Sequence, residues 1–307
     1  MSEAFTYTVG EQVIHAKKWV DSDRKPKAII QFSHGMAEHI ERYEEFASFL
    51  LKQDFFVYGN DHRGHGMTAK TEDERGYFAD ENGFTTIVYD LLSLTNIIEN
   101  EHPNVPVILF GHSMGSFLAR RYIQIEGNRL HGVILSGTGG DPGFIGKIGL
   151  ALARNEVKKK GRRAESPLLD KLTFGNYNKS FKPNRTSFDW LSRDEEVVDR
   201  YIADEHCGGI FTAGFFQDLL EGIGNIHQKA NLEKIPKDLP IYLFSGEKDP
   251  VGNQSKGVLE VYHSYKKVGI EDVEFKIYKE GRHEMLNELN KLEVYEDVVN
   301  WINRHLH

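Results

Sequence analysis

Residues 107–124 read VILFGHSMGSFLARRYIQ, an apolar run that passes through a glycine-rich turn into a helical pattern. Gly111, Ser113 and Gly115 give the motif G-x-S-x-G at that turn. The motif alone arises by chance in roughly one chain in ten of this length. A buried strand before it and a helix after it are the context in which such a turn presents a nucleophilic serine. We therefore take Ser113 as a candidate nucleophile.

The pattern around this turn predicts an α/β fold, with a mostly parallel sheet covered by helices on both faces. Apolar runs that end in Gly-rich turns predict strands at 28–35, 55–61, 105–113, 130–139, 241–249 and 273–281. Helical patterns cover 43–53, 84–99 and 292–306. The early segments FTYTVG and VIHAKKWV predict an antiparallel hairpin at one edge.

The alternation stops after Gly139, and residues 141–239 are mostly helical in pattern and rich in aromatics. A structureless loop of that length is rare in a compact domain, so we predict an inserted helical cap. The core then comprises 1–140 and 240–307, and the cap comprises 141–239. A helix there carries apolar residues that we expect to line a substrate channel, namely Phe211, Phe215, Phe216, Leu219 and Leu220. Alternatively, these residues only hold the cap on the core.

A nucleophilic serine needs an imidazole to take its proton and an acid to orient that imidazole. Asp249 and His283 each follow a predicted strand, and they come after Ser113 in the order serine, acid, histidine. Glu247 and Glu284 are rival acids. Glu247 precedes the strand end and Glu284 adjoins the histidine, so we favour Asp249.

The same chemistry needs backbone N–H groups to hold an oxyanion. The N–H of Met114 directly follows the nucleophile, and the loop SHGMAEH at 33–39 offers the N–H of Met36. Histidines cluster in these turns, but no H-x-x-x-H or H-E-x-x-H spacing is present, so we predict no metal. The histidines concerned are His34, His39, His62, His65 and His112.

Composition narrows the function further. The chain has 307 residues and a formal net charge of −8, which argues against nucleic acid as a partner. Its one cysteine, Cys207, cannot form an internal disulfide. We see no signal peptide and no apolar stretch of membrane-spanning length, so we expect a cytoplasmic protein.

Five segments together resemble the bacterial monoacylglycerol lipase and lysophospholipase branch of the α/β-hydrolases. They are SHGMAEHIERYEEFASFL (33–50), NDHRGHGMT (60–68), GHSMGS (111–116), SGEKDPVGNQSKGV (245–258) and YKEGRHEMLNE (278–288). The resemblance implies the α/β-hydrolase fold, the site residues named above, and a single-chain lipid ester as substrate without metal or organic cofactor. Ser116 departs from the glycine of many relatives, and caps in this branch diverge most.

Other activities stay open. The resemblance also allows a lysophospholipase or a general carboxylesterase, or a ligand-binding relative without catalysis. A serine aminopeptidase would need a cap carboxylate for the substrate amine. The cap offers Glu165, Asp189, Asp194, Glu195, Glu196, Asp204 and Asp218.

Overall fold

The computed structural model describes residues Met1–Leu306 and contains eight strands in one sheet. The strands are β1 Ser2–Val9, β2 Gln12–Trp19, β3 Ala28–Ser33, β4 Phe55–Asn60, β5 Val107–His112, β6 Gly132–Ser136, β7 Ile241–Gly246 and β8 Val273–Tyr278. Each predicted apolar run therefore forms a strand, which ends one to three residues earlier where the run turns into glycine and polar residues.

The strand order is β1-β2-β4-β3-β5-β6-β7-β8. Strand β2 pairs antiparallel with β1 and β4, and the other neighbours are parallel. The predicted hairpin at one edge and the mostly parallel sheet are both confirmed. All residues of β3, β4, β5, β6 and β7 are buried, because helices cover both faces of these strands.

Within the described residues, ten α-helices lie on the two faces of the sheet and in the segment between β6 and β7. They are α1 Glu44–Lys52, α2 Gly83–Glu101, α3 Met114–Glu126, α4 Gly143–Lys160, α5 Pro167–Phe174, α6 Glu195–Ala203, α7 Ala213–Ile226, α8 Lys229–Leu232, α9 Lys256–Lys267 and α10 Lys291–Arg304. Along each buried strand, every second side chain points to one face of the sheet and packs on α2, α3 and α9. The side chains between them point to the other face and pack on α1 and α10.

The segment between β6 and β7 contains α4 to α8 and no strand of the sheet, within residues 1–306. Helix α7 crosses α2, α3 and α4. Its Gly222 lies so close to the Phe84 ring of α2 that any side chain there would collide with the ring. The predicted helical insertion is thus present over the sheet. The boundaries at 140/141 and 239/240 stay our proposal for where core and cap divide.

Candidate active site

The backbone of Ser113 is strained between β5 and α3. Its φ of 52° and ψ of −120° lie outside the regions that non-glycine residues favour. A Cβ on Gly115 would overlap the carbonyl oxygen of Ser33, so only glycine lets α3 approach β3 this closely. The turn leaves Ser113 partly exposed at the start of α3. This is the geometry that the sequence motif predicts.

Asp249 and His283 meet at the ends of β7 and β8. His283 Nδ1 lies 2.9 Å from Asp249 Oδ1, and both residues are buried. The Ser245 hydroxyl donates to Asp249 Oδ2 at 2.7 Å, and the Val251 N–H donates to Oδ1 at 2.9 Å. Because both carboxylate oxygens accept from fixed donors, Asp249 holds one orientation toward the imidazole.

The two rival carboxylates have other partners. Glu247 is partly exposed and accepts the Glu280 N–H at 3.1 Å. Glu284 is buried but forms a bidentate ion pair with Arg42 at 2.7 and 2.8 Å. Of the acids predicted from sequence, the structure brings only Asp249 to His283.

Charge stabilisation in this pair favours the imidazolium. Burial works against the charged ring, but the Asp249 carboxylate outweighs it and raises the pKa of His283. Burial likewise works against the Asp249 carboxylate, and His283 nevertheless holds the pKa of Asp249 below its usual value. The neighbouring His112 ring lies 4.7 Å from the His283 ring, and burial lowers the pKa of His112 to about 4. At neutral pH His112 is therefore uncharged.

The loop after β3 holds the Met36 N–H in a defined direction. The His62 N–H donates to His34 Nε2 at 2.9 Å, so His34 carries its proton on Nδ1 and donates it to the Gly35 carbonyl at 2.7 Å. In a trans peptide the following N–H points opposite to that carbonyl. Neither the Met36 nor the Met114 N–H donates to a protein group among residues 1–306. Both residues line the same cavity as Ser113.

A buried charge network joins this loop to the loop of His283. Arg42 Nη1 donates to Glu38 at 2.7 Å while its guanidinium also binds Glu284. Glu38 Oε1 in turn accepts the Gly35 N–H at 2.6 Å and the Tyr43 hydroxyl at 2.8 Å. The network therefore couples the backbone that precedes Met36 to the residue that follows His283.

Ser113, His112 and His283 open into a cavity of about 940 Å³ between the sheet and the inserted helices. Its walls are mainly apolar, and among the predicted channel residues Phe216, Leu219 and Leu220 line it. Phe211 and Phe215 do not. Instead, Phe211 packs on His65 with ring centroids 4.9 Å apart, and Phe215 packs on Phe78 at 4.5 Å. The rings of Phe211 and Phe215 therefore lie outside the cavity, near the start of α7. Their contacts with His65 and Phe78 hold the inserted segment on the core.

Several residues at the site carry no local sequence signal for their contacts. Trp190 lines the cavity, its ring lies 5.1 Å from that of His283, and its carbonyl accepts the His283 N–H at 3.3 Å. The Tyr201 hydroxyl donates to the Ala37 carbonyl at 2.9 Å. Glu38 and Arg42 lie within the 33–50 segment. Two charged residues so close to a buried glycine loop were the one sequence feature that could have indicated the buried ion-pair network.

The carboxylates considered for an aminopeptidase lie elsewhere. None of the seven lines the cavity; Asp189, for example, accepts two backbone N–H groups of Arg185 and Thr186. Glu38 and Glu284 do line it but are paired with Arg42. The remaining lining carboxylate is Asp170, which has no ion pair among the described residues and whose pKa burial raises.

The arrangement offers a strained serine, a buried histidine–carboxylate pair and two free backbone N–H groups around one apolar cavity. This set is suited to acyl transfer. None of the helices described for residues 1–306 has the length and apolar character needed to cross a membrane.

Known proteins share this sequence and fold. The family described as serine aminopeptidase, S33, matches residues 24–290. The monoacylglycerol lipase of Mycolicibacterium smegmatis is 31% identical over 286 residues, which cover 92% of this chain and 91% of that protein. The human monoglyceride lipase is 28% identical over 285 residues, which cover 91% of this chain and 83% of that protein.

Solved structures agree with this relationship. A thermostable carboxyl esterase from Bacillus coagulans, in complex with glycerol, superposes with a TM-score of 0.92 at 29% identity and covers 100% of this chain and 99% of its own. A lipase in an open form gives a TM-score of 0.89 at 27% identity, with complete coverage of both chains. The predicted fold and family are confirmed, and the chain belongs to the serine aminopeptidase S33 family of α/β-hydrolases.

Proposed function

We propose that this protein is a serine hydrolase that cleaves single-chain lipid esters, with monoacylglycerols as its main substrates. The observation that carries the proposal is the apolar cavity that leads to Ser113. Its volume of about 940 Å³ is near the upper end of the range for small-molecule sites. The names of the relatives, monoacylglycerol lipase and monoglyceride lipase, support the same substrate class.

In this mechanism His283 takes the proton of Ser113 while Ser113 Oγ attacks the ester carbonyl. The Met36 and Met114 N–H groups stabilise the oxyanion. The imidazolium, stabilised by Asp249, then protonates the leaving alcohol. Water activated by the same histidine attacks the acyl-enzyme and releases the fatty acid. No step needs a metal or an organic cofactor.

The cavity mouth supports a transient contact with lipid aggregates. Phe144, Ile145 and Ile148 on α4, together with Leu168 and Leu172 on α5, are exposed. Three of these residues also line the cavity, so a substrate leaving a lipid surface would enter along apolar side chains. We also propose a cytoplasmic location, with which the single cysteine is compatible because it cannot form an internal disulfide.

Acyl-chain length provides the test. Each buried CH₂ contributes about 0.8 kcal/mol, so two more carbons should raise kcat/KM by roughly tenfold until the channel is filled. The measurement is kcat/KM for monoacylglycerols from C4 to C18 below their micellar concentrations. The panel also contains lysophospholipids, p-nitrophenyl esters and amino-acid anilides, because Asp170 is the carboxylate that could bind a substrate amine.

A variant that shortens the channel sharpens this experiment. Leu219→Trp places a larger ring in the cavity wall and should lower kcat/KM for chains of C12 and longer by at least about tenfold. C4 esters should be hydrolysed within about threefold of the wild-type rate. Leu292→Trp is the matched control, since Leu292 is 60% exposed on α10 outside the cavity. If kcat/KM of the wild-type protein instead peaked at C4 and declined steadily with longer chains, the protein would be a small-ester carboxylesterase and the lipid-ester proposal would be wrong.

A further inference from the structure

Outside the cavity, a group of metal-ligating side chains lies between the loop after β3 and the turn after α6. It consists of His39, Asp204 and Cys207, none of which lines the cavity. His39 Nε2 is 2.8 Å from Asp204 Oδ2, and the three potential ligand atoms all lie within 4.8 Å of one another. Local spacing gives no sign of this group, because 165 residues separate His39 from Asp204.

The donor atoms are an imidazole nitrogen, a carboxylate oxygen and a sulfur, which are the ligands that zinc takes in proteins. Zinc bonds of 2.0–2.3 Å in a tetrahedron place ligand atoms about 3.3–3.8 Å apart. His39 Nε2 and Asp204 Oδ2 must therefore separate by about half an ångström, and the Cys207 sulfur, which lies within 4.8 Å of both, must move inward by at most roughly one and a half ångströms. Such shifts are within the range of side-chain rotation.

The turn that carries two of these ligands is already formed. Asp204 Oδ1 accepts the His206 N–H at 2.9 Å, and the Asp204 carbonyl accepts the Cys207 N–H at 3.1 Å. The Gly208 N–H donates to the Ala37 carbonyl at 2.9 Å, so the turn also touches the loop of His39. A ligand whose second oxygen is fixed in this way is oriented before the metal arrives.

Asp204 supplies the negative charge of the group, and its Oδ2 already lies 2.8 Å from His39 Nε2. Cys207 is a free thiol and is partly buried. A bound metal would displace the thiol proton to solvent and pair with the resulting thiolate.

We propose that His39, Asp204 and Cys207 form a zinc-binding site, completed by water, that fastens the cap turn to the loop of residues 34–39. None of the three ligands takes part in the proposed hydrolytic reaction or lines the cavity. Because the metal joins two segments that are apart in the unfolded chain, zinc should raise the Tm of the folded protein.

Cobalt(II) provides a spectroscopic probe of this site. Titration of the metal-free full chain with cobalt(II) should give one bound cobalt per chain, with thiolate-to-metal charge-transfer absorption. Added zinc should displace the cobalt and abolish this absorption. Cys207→Ala and His39→Gln should each weaken zinc binding at least about tenfold and abolish the rise in Tm. His305→Gln is the control, because it alters a second, surface group of Asp272, Glu274 and His305 and should leave zinc affinity within about twofold.

Circular dichroism establishes that each variant is folded. The absence of charge-transfer absorption in the wild-type protein would overturn the proposal by itself, whatever the variants do. Zinc affinity in folded Cys207→Ala equal to that of the wild type would overturn it as well, since the metal would then be bound elsewhere.

Discussion

At the scale of single residues, the Asp249 carboxylate forms a hydrogen bond with the His283 imidazole. Asp249 orients the ring and favours its protonated form, so an amide at this position would keep the shape but lose the charge. We predict that Asp249→Asn lowers kcat by a factor on the order of 10³–10⁴ with little change in KM. Glu247→Gln is the matched control and should be close to wild type, because within the described residues Glu247 accepts the Glu280 N–H and forms no hydrogen bond with His283.

Steady-state kinetics on a p-nitrophenyl ester measure both parameters for each variant. If Glu247→Gln were the severe variant and Asp249→Asn the mild one, the orienting acid would be Glu247.

The raised pKa of His283 also predicts how activity changes with pH. Catalysis needs the neutral ring to accept the serine proton, and the folded pKa lies above the ordinary value of about 6.5. The acidic limb of kcat/KM should therefore have its midpoint above pH 6.5. A midpoint below 6.5 in a pH series on a substrate without ionisable groups would contradict the proposed pairing of His283 with Asp249.

At the scale of elements, Arg42 connects two loops that lie 242 residues apart in sequence. Replacing it with glutamine would leave Glu38 and Glu284 buried without a cation. Such a loss costs roughly 3–5 kcal/mol, so we predict a decrease of that size in the free energy of unfolding of Arg42→Gln. Arg154→Gln removes an exposed pair with Glu221 and should cost about 0.5 kcal/mol or less.

Urea denaturation measures both variants. Equal losses in Arg42→Gln and Arg154→Gln would mean that the buried network adds nothing beyond a surface ion pair.

The elements themselves could be predicted from sequence to a large extent. Buried strands read as continuous apolar runs because helices cover both faces, and the helices between them show their own period. The cavity wall could not be predicted in the same way. Phe215 and Phe216 are adjacent on α7, yet one packs on Phe78 and the other lines the cavity, which only the docking of α7 decides. The contacts of Arg42 were hidden for the same reason, since they join distant segments.

At the scale of the whole molecule, neutral buried histidines make stability depend on pH. Burial is the largest cause in each case: it holds the pKa of His34 and His62 well below 6.5 and lowers that of His65 and His112 to about 4. Between pH 4 and 6.5 the unfolded chain binds more protons than the folded one. Each such histidine thus contributes stability that is complete above pH 6.5 and declines by up to about 1.4 kcal/mol per unit as pH falls.

His283 acts in the opposite direction above pH 6.5, because its folded pKa is raised. Burial also lowers the pKa of His102, and it lowers that of His227 to about 3. With six histidines against one, we predict a free energy of unfolding that is several kcal/mol lower at pH 5 than at pH 7. Urea denaturation at the two pH values, at constant ionic strength, provides the comparison. A protein equally stable at both would mean that these histidines are not held neutral.

Covalent labelling of the nucleophile tests the central claim of a serine hydrolase most directly. A fluorophosphonate phosphonylates an activated serine and no ordinary hydroxyl, so intact mass followed by peptide mapping should find one adduct per chain, on Ser113. Ser116→Ala, which removes the neighbouring hydroxyl that donates to the Ser113 carbonyl, should label as the wild type does, and Ser113→Ala should not label. An unlabelled wild-type protein, or an adduct at another residue, would contradict the account.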